Sequence, residues 1–379
     1  MRTRESVVGL IAAFALGAAL VAQSPISGAT KSSDQDKKKP VELEENQSIL
    51  PTRILEFKVA KDEPDLDLTP ITLFPSLCTS DGSLFIDMLN PKDLREHTIV
   101  SVNGKKYQTF SIRAITDLHE IDVISFFPSD SVVGLLVRAT KSLPGQPKLE
   151  TSSTGIPWSD YHNFIAVFDR DGSYKNSVQL PMSYSLSRLA ILSSGEFIVF
   201  GYDNLNSMPE LLVLDSAGRV LRSLDTPGSH TPDMVPAPGK EGNTVDAASS
   251  FMRTVTFTPF GQDILIWRMG DGDAVLDVRP GGGVREVQLQ SPADSTFVSL
   301  ISSNDRWIGH FRASGNAVSE RKNNETDFYY EMLPQDASLS VRLIQTGATP
   351  MSIACEANGV YQSFKRDEKT GKMIVVTTD

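Results

Sequence analysis

The sequence predicts an all-β fold assembled from repeated four-stranded antiparallel units. Three observations carry that expectation. A pattern of apolar strand, tight polar turn and second apolar strand recurs six times along the chain. A further hairpin follows each of the first five occurrences. The strand missing from the last unit has a counterpart at the other end of the chain. The chain has 22 prolines and 26 glycines. With its short apolar runs rich in Val, Ile, Leu and Phe, this composition favours many turns and few long helices.

The units follow in order. The first runs from Pro75 to Cys78, turns at Thr79-Ser80-Asp81-Gly82 and continues through Leu84 to Ile86. The second has Val123 to Phe127, Pro128-Ser129-Asp130-Ser131 and Val132 to Val137. The third has Leu189 to Leu192, Ser193-Ser194-Gly195 and Phe197 to Phe200. In the fourth, Val255 to Thr258 reaches Ile264 to Trp267 through Pro259-Phe260-Gly261. In the fifth, Phe297 to Ile301 reaches Trp307 to Phe311 through Ser302 to Asp305. The sixth has Met351 to Cys355, Glu356-Ala357-Asn358-Gly359 and Val360 to Phe364. Ser, Asp, Asn and Gly suit such reversals because they tolerate positive φ or bond their own backbone.

Second hairpins turn at Asn103-Gly104, Asp169 to Gly172, Asp215 to Gly218, Arg279 to Gly283 and Pro334 to Asp336. The sixth unit has only one further strand, Met373 to Thr377, while Ile54 to Val59 forms a lone strand ahead of the first unit. Pairing those two closes a ring and leaves no edge between first and last units. Four strands per unit and this closure predict a six-bladed β-propeller over residues 50–379. A pair of β-sandwiches also uses short, evenly spaced strands, but it does not predict a lone first strand matching a vacancy in the last unit. On this blade pattern the chain resembles the six-bladed propellers of the NHL and TolB-like groups. The resemblance implies a fold and an exported setting. It implies no activity, because no signature motif of either group is present.

Residues 1–29 read as an export signal, with Arg2 and Arg4 ahead of the uncharged stretch Val7 to Ala22 and small residues after it. That stretch is shorter than the roughly 20 residues a spanning helix needs. No stable membrane span is therefore expected after cleavage, and the expected location is periplasmic or extracellular. Residues 30–49 are polar, with Lys37-Lys38-Lys39-Pro40 and Glu42 to Gln47, and read as a disordered tether. Cleavage removes two arginines and one glutamate, taking the net charge from −11 to −12. An acidic surface repels phosphate backbones, so nucleic acid is not an expected partner.

Alternating strand direction sorts the connections onto two faces. Turns within hairpins lie on one; links between hairpins and between units lie on the other. The links include the long segments Thr140 to Tyr161, Thr226 to Ser250 and Arg312 to Asp327. Long loops on a rigid scaffold are where binding concentrates. The candidate binding residues on this face are His97, Asp117, His119, Glu120, Trp158, Asp160, His162 and His230. Their mixed imidazole, carboxylate and aromatic chemistry suits a peptide, a glycan or a protein partner.

Signatures of known chemistry are sparse. No Gly-x-Ser-x-Gly turn, His-Glu-x-x-His run or Cys-x-x-Cys pair occurs. The glycines at 270, 272 and 281–283 precede no helix pattern, and Asp169-Arg170-Asp171-Gly172 lacks the later carboxylates of a calcium loop. The expected function is a non-catalytic exported binding or scaffold propeller with no cofactor. The alternative is a metal-dependent lactonase or esterase-type hydrolase holding a divalent cation over the channel. The cysteines, Cys78 and Cys355, occupy matching positions four residues before Gly82 and Gly359 in units that neighbour each other once the ring closes. They are either a disulfide or two buried thiols, the disulfide requiring Cα atoms within about 7 Å.

Overall fold

The computed structural model describes residues 50–59, 76–89, 97–103, 106–112, 118–141, 162–181, 183–203, 205–206, 208–225, 255–268, 274–313, 327–346, 352–366, 369 and 373–378. Its named elements are all strands, arranged propeller-like in four sheets of four strands and one of eight.

The first unit is β2 (Leu77–Cys78), β3 (Leu84–Leu89), β4 (His97–Asn103) and β5 (Lys106–Phe110). The second is β6 (Leu118–Pro128), β7 (Val132–Lys141), β8 (His162–Asp169) and β9 (Tyr174–Gln179). The third is β10 (Tyr184–Ile191), β11 (Phe197–Asp203), β12 (Met208–Leu214) and β13 (Val220–Leu224). The fourth is β14 (Val255–Phe260), β15 (Asp263–Arg268), β16 (Ala274–Val278) and β17 (Val284–Gln288). Each forms its own antiparallel sheet in chain order.

The eight-stranded sheet contains the other two units. The fifth is β18 (Ser295–Ile301), β19 (Trp307–Ala313), β20 (Asp327–Met332) and β21 (Leu339–Thr346). The sixth is β22 (Ile353–Ala357), β23 (Val360–Arg366), β24 (Met373–Thr378) and, as fourth strand, β1 (Thr52–Val59). The end of β1 runs antiparallel to β24, with Phe57 opposite Thr378 and Val59 opposite Val376. This is the closure expected from the sequence.

The start of β1 does something the repeat pattern did not foretell. Thr52 to Glu56 pair in parallel with Arg342 to Thr346 of β21, and the Arg342 amide donates to the Pro51 carbonyl at 2.8 Å. One strand thus covers the outer edges of two successive units, edges that would otherwise offer unpaired backbone groups.

Burial explains why the strands read as they do. Middle strands such as β8, β11 and β16 are buried on both faces because sheets pack on each side of them. Their sequences are accordingly continuous apolar runs. Outermost strands such as β9 and β13 are mostly exposed, β9 with a polar sequence and β13 with Val220 and Leu221 turned to solvent. The innermost strands β2, β6, β10, β14, β18 and β22 neighbour one another in chain order, and β22 meets β2.

The turns show one repeated geometry. At Thr79, Asp169, Leu192, Asp215 and Arg279 the carbonyl accepts the amide of a glycine three residues on, and the same residue's amide donates to the carbonyl after that glycine. The glycine needs positive φ, and Gly172 and Gly218 show +85° and +82°. In the fourth and sixth units the inner turn is tighter than the sequence suggested. Phe260 pairs with Asp263 and Ala357 with Val360, leaving Gly261-Gln262 and Asn358-Gly359 as two-residue loops. Pro259 lies within β14 rather than in the turn; an innermost strand has a free side on which its missing N–H costs no ladder bond.

Outer turns dock onto the preceding unit. Gly172 sits against Gln108 and Thr109 of β5, Gly218 against Val178 and Gln179 of β9, and Gly282 against Arg222 of β13. In the fifth unit the carbonyls of Pro334 and Gln335 accept from Arg285 of β17 at 2.7 and 3.2 Å. The contact is the same in successive pairs, so each unit is registered on its neighbour.

Candidate functional site

The two faces differ in how their polar groups are used. On the hairpin-turn face the side chains bond neighbouring turns. Ser80 donates to Asp130 at 2.7 Å, and Arg170 donates to Thr79, Ser129 and Asp81. Asn304 donates to the Ser80 carbonyl at 2.6 Å and Gln362 to the Gly82 carbonyl at 2.9 Å. The Asp81 carboxyl, which partial burial would raise, is held below its usual range by bonds from Thr79 and Ser83 and by Arg170.

Backbone joins in at the same end. Phe260 and Ser303, and Ser302 and Cys355, form parallel bridges between innermost strands of successive units. The Glu356 amide donates to the Ser302 carbonyl at 2.9 Å. Beneath it the fully buried Glu356 carboxylate accepts from Ser303 Oγ and from the Gly359 amide. Innermost strands that bond each other draw successive units together at the hairpin-turn end, where Thr79, Ser129, Ser193 and Gly261 line a small recess between the inner turns.

That convergence removes the geometric objection to a disulfide. Cys78 and Cys355 are bonded, with Cα atoms 5.8 Å apart, and both are buried. Deeper in the ring Arg188 lies beside Leu77, Phe127 and Phe257. It donates to the Val255 carbonyl at 3.0 Å and to the Ser187 carbonyl at 2.8 Å. Burial pushes its guanidinium below the usual arginine range.

On the link face, the eight residues proposed from the sequence divide unevenly. Asp117, Trp158, Asp160 and His230 lie outside the described residues, as do most of the three long links. His97 opens β4, and His119 and Glu120 fall inside β6 rather than in a loop. β6 pairs with β7 through two register shifts, one between His119 and Asp122. That bulge lets the strand continue into what reads as link sequence. His162 opens β8, where its Nδ1 is 3.4 Å from Gln179 Nε2 and its ring packs against Phe164.

Sequence reasoning missed other groups at this end. Asp203 accepts from the Leu205 amide at 2.8 Å and from Asn206 at 2.6 Å. The bend presents Leu205 and Met208 to solvent, 80% and 48% exposed. Beside it the Tyr184 hydroxyl is pushed up by burial, then by Glu210 and Asp203. In the fifth unit His310 Nε2 lies 3.0 Å from Asp327, which also accepts from Arg312 at 2.9 Å. His310, alone of the five histidines, drew no attention because it stands mid-strand in an apolar run. Comparing it with the same repeat position elsewhere would have exposed it. Among the described residues, no group of three His, Cys, Asp or Glu side chains converges as a metal site.

No family model matches the chain, and no curated protein matches it. Solved structures do resemble it. Trypanosoma rangeli sialidase, in complex with the inhibitor DANA, aligns at TM-score 0.38 and 9% identity over 85% of this chain and 58% of that one. Porphyromonas gingivalis dipeptidyl peptidase 4 aligns at 0.35 and 10% identity, covering 77% of this chain and 43% of that one. The fucose-specific lectin of Aleuria aurantia aligns at 0.36 and 11% identity, over 72% and 78% of the two chains. The chain thus spans a little over half the length of the sialidase.

Proposed function

We propose that this chain is an exported, six-bladed propeller of the NHL and TolB-like kind that binds a peptide, glycan or protein partner on its link face. The observation that carries this reading is the asymmetry of the ring. At the hairpin-turn end, polar side chains are engaged in turn-to-turn hydrogen bonds and the innermost strands bridge one another. The other end receives the long links and, in its described part, carries exposed Leu205 and Met208 beside the carboxylates Asp203 and Glu210 of the third unit, with Asp327 where the link enters the fifth. Exposed apolar side chains rimmed by polar groups are the composition of a recognition surface. The positively charged start and uncharged apolar stretch of residues 1–29, which read as an export signal, and the Cys78–Cys355 disulfide support export.

The test is a screen of the purified protein on glycan and peptide arrays, followed by substitution on both faces. Ligands retained on the array are expected to lose at least roughly tenfold in affinity with Leu205→Ala, Met208→Ala or Glu210→Ala. Ser194→Ala and Arg219→Ala on the hairpin-turn face are expected to change nothing. Loss confined to the turn-face variants overturns the assignment. Metal analysis addresses the alternative: stoichiometric cation whose removal abolishes hydrolysis favours the metal-dependent reading.

A further inference from the structure

The repeat supplies its own control for one unusual position. In four units the innermost strand carries a register shift, and the residue just after it pairs with a fixed position on the second strand. The pairs are Ser125 with Leu136, Arg188 with Phe200, Ser299 with His310 and Cys355 with Gln362. In the second and third units the second-strand residue is fully buried and apolar, facing Ile165 and Leu211 on the third strand. The fifth unit replaces that apolar stack with a histidine facing Tyr329. A buried imidazole costs more than a leucine unless its nitrogens are bonded, and here both are.

His310 Nε2 lies 3.0 Å from Asp327 Oδ1, and Nδ1 lies 3.4 Å from Ser299 Oγ. Asp327 only accepts, so Nε2 carries the proton and Nδ1 presents a lone pair to the serine hydroxyl. The Tyr329 ring stacks on the imidazole at 4.6 Å between centroids with planes 12° apart, fixing its orientation. Burial lowers the imidazole's proton affinity, more than Asp327 restores it, so the ring is an unprotonated base at neutral pH. The carboxyl of Asp327, which burial alone would raise, is kept ionised by bonds from Arg312 and His310. A nucleophile, a base and a group that orients the base therefore stand in line across three strands. Ser299 is half-buried on the wall strand, whereas its neighbour Leu300 is buried. Asp327 is partly exposed where the link enters β20.

We propose that Ser299, His310 and Asp327 form a nucleophilic serine centre that hydrolyses carboxylic esters, an activity separate from partner binding. Ser299 Oγ bonds the ester carbonyl carbon while its proton passes to His310 Nδ1. The carbon–oxygen bond to the alcohol then breaks, and the alcohol leaves with that proton. Water attacks the acyl-serine, giving its proton to the same nitrogen. The Oγ–carbon bond breaks, Ser299 regains the proton and the acid is released. Ser299 and His310 are the catalytic residues; Asp327 is a positioning residue.

The experiment treats the intact protein with a fluorescent fluorophosphonate and, separately, with p-nitrophenyl acetate. Labelling is expected on Ser299 by peptide mapping. Ser299→Ala should abolish it, and His310→Gln should slow it by about 100-fold. Ser125→Ala, at the matching position of the second unit, should leave it unchanged. The groups facing the ring are Ser299, Arg312, Asp327 and Tyr329. Removing the carboxylate with Asp327→Asn should slow the esterase and move its acid limb to lower pH, a shift that a purely structural role would not produce. No labelling of the folded protein, or labelling that survives Ser299→Ala, overturns the proposal. Ser299→Ala deletes a single hydroxyl, so the result stands even if His310→Gln fails to fold. Array binding that persists in Ser299→Ala keeps this outcome distinct from the partner-binding reading.

Discussion

Cys78 and Cys355, 277 positions apart in the chain, are bonded to each other where the first and last innermost strands meet. The closure of the ring is therefore doubled. The disulfide ties it at the channel, and β1 ties it at the rim through Phe57, Lys58 and Val59 on β24. Both ties join residues from opposite ends of the chain.

Breaking the inner tie has a measurable cost. A crosslink spanning a loop this long restrains the unfolded chain, and the chain-entropy argument puts its contribution at about 5–6 kcal/mol. Protein unfolded without reductant should show no titratable thiol. Cys78→Ala combined with Cys355→Ala should lower the urea midpoint by a matching amount, with the fold retained because β1 still seals the rim.

Glu331 is the pivot of the outer tie. Its buried carboxylate meets Arg53 of β1 at 2.7 Å, Arg306 at 2.7 Å and the Tyr361 hydroxyl at 2.6 Å. Burial and the hydrogen bond to Glu331 raise the Tyr361 hydroxyl well above the usual tyrosine range. Removing one member of a buried charged network strands the rest. Glu331→Ala should destabilise by about 3 kcal/mol. Arg53→Ala, from the half-exposed end, should cost about 1 kcal/mol. Chemical denaturation of the two variants gives the comparison.

The architecture was legible because each blade repeats the same physical demands. Middle strands buried on both faces must be runs such as Phe197 to Phe200, and reversals need glycine at Gly82, Gly172 and Gly218. The parallel pairing of Thr52 to Glu56 was illegible, since an edge-covering strand with Ile54 66% exposed carries no pattern that names its partner. The candidate site was read less well. Loop histidines drew attention for being polar, and His119 proved to be in a strand. His310, hidden between Gly309 and Phe311 in an apolar run, gained its meaning from Ser299 and Asp327, which the sequence separates from it. Charged pairs such as Arg53 and Glu331 depend on the ring and have no local signature.

The docking of outer turns on preceding units predicts a contrast among glycines of similar φ. A Cβ on Gly172 would fall 2.7 Å from the Thr109 carbonyl and one on Gly218 2.9 Å from that of Gln179, whereas one on Gly195 would meet nothing within 4 Å. All three lie at φ between +82° and +88°, so alanine costs each about 1–2 kcal/mol for the left-handed conformation alone. Gly172→Ala and Gly218→Ala should cost about 1–3 kcal/mol beyond that for the clash. Equal losses in all three by denaturant unfolding would mean the turns do not bear on their neighbours.

His310 also sets a direction for stability against pH. Burial holds its folded-state proton affinity below the usual imidazole value of about 6.5. The unfolded chain therefore takes up a proton that the native ring resists. Stability from this group is fully present above about pH 6.5 and is lost as the pH falls from there towards the depressed folded value. Arg312 opposes protonation and Asp327 favours it, but burial is the larger influence. Unfolding free energies at pH 7.5 and pH 5.0 should differ more in the parent protein than in His310→Gln, whose amide does not titrate. The comparison between the two proteins removes the carboxylates common to both, so a parent and a variant with the same pH slope would show that folding leaves the imidazole's proton affinity unchanged.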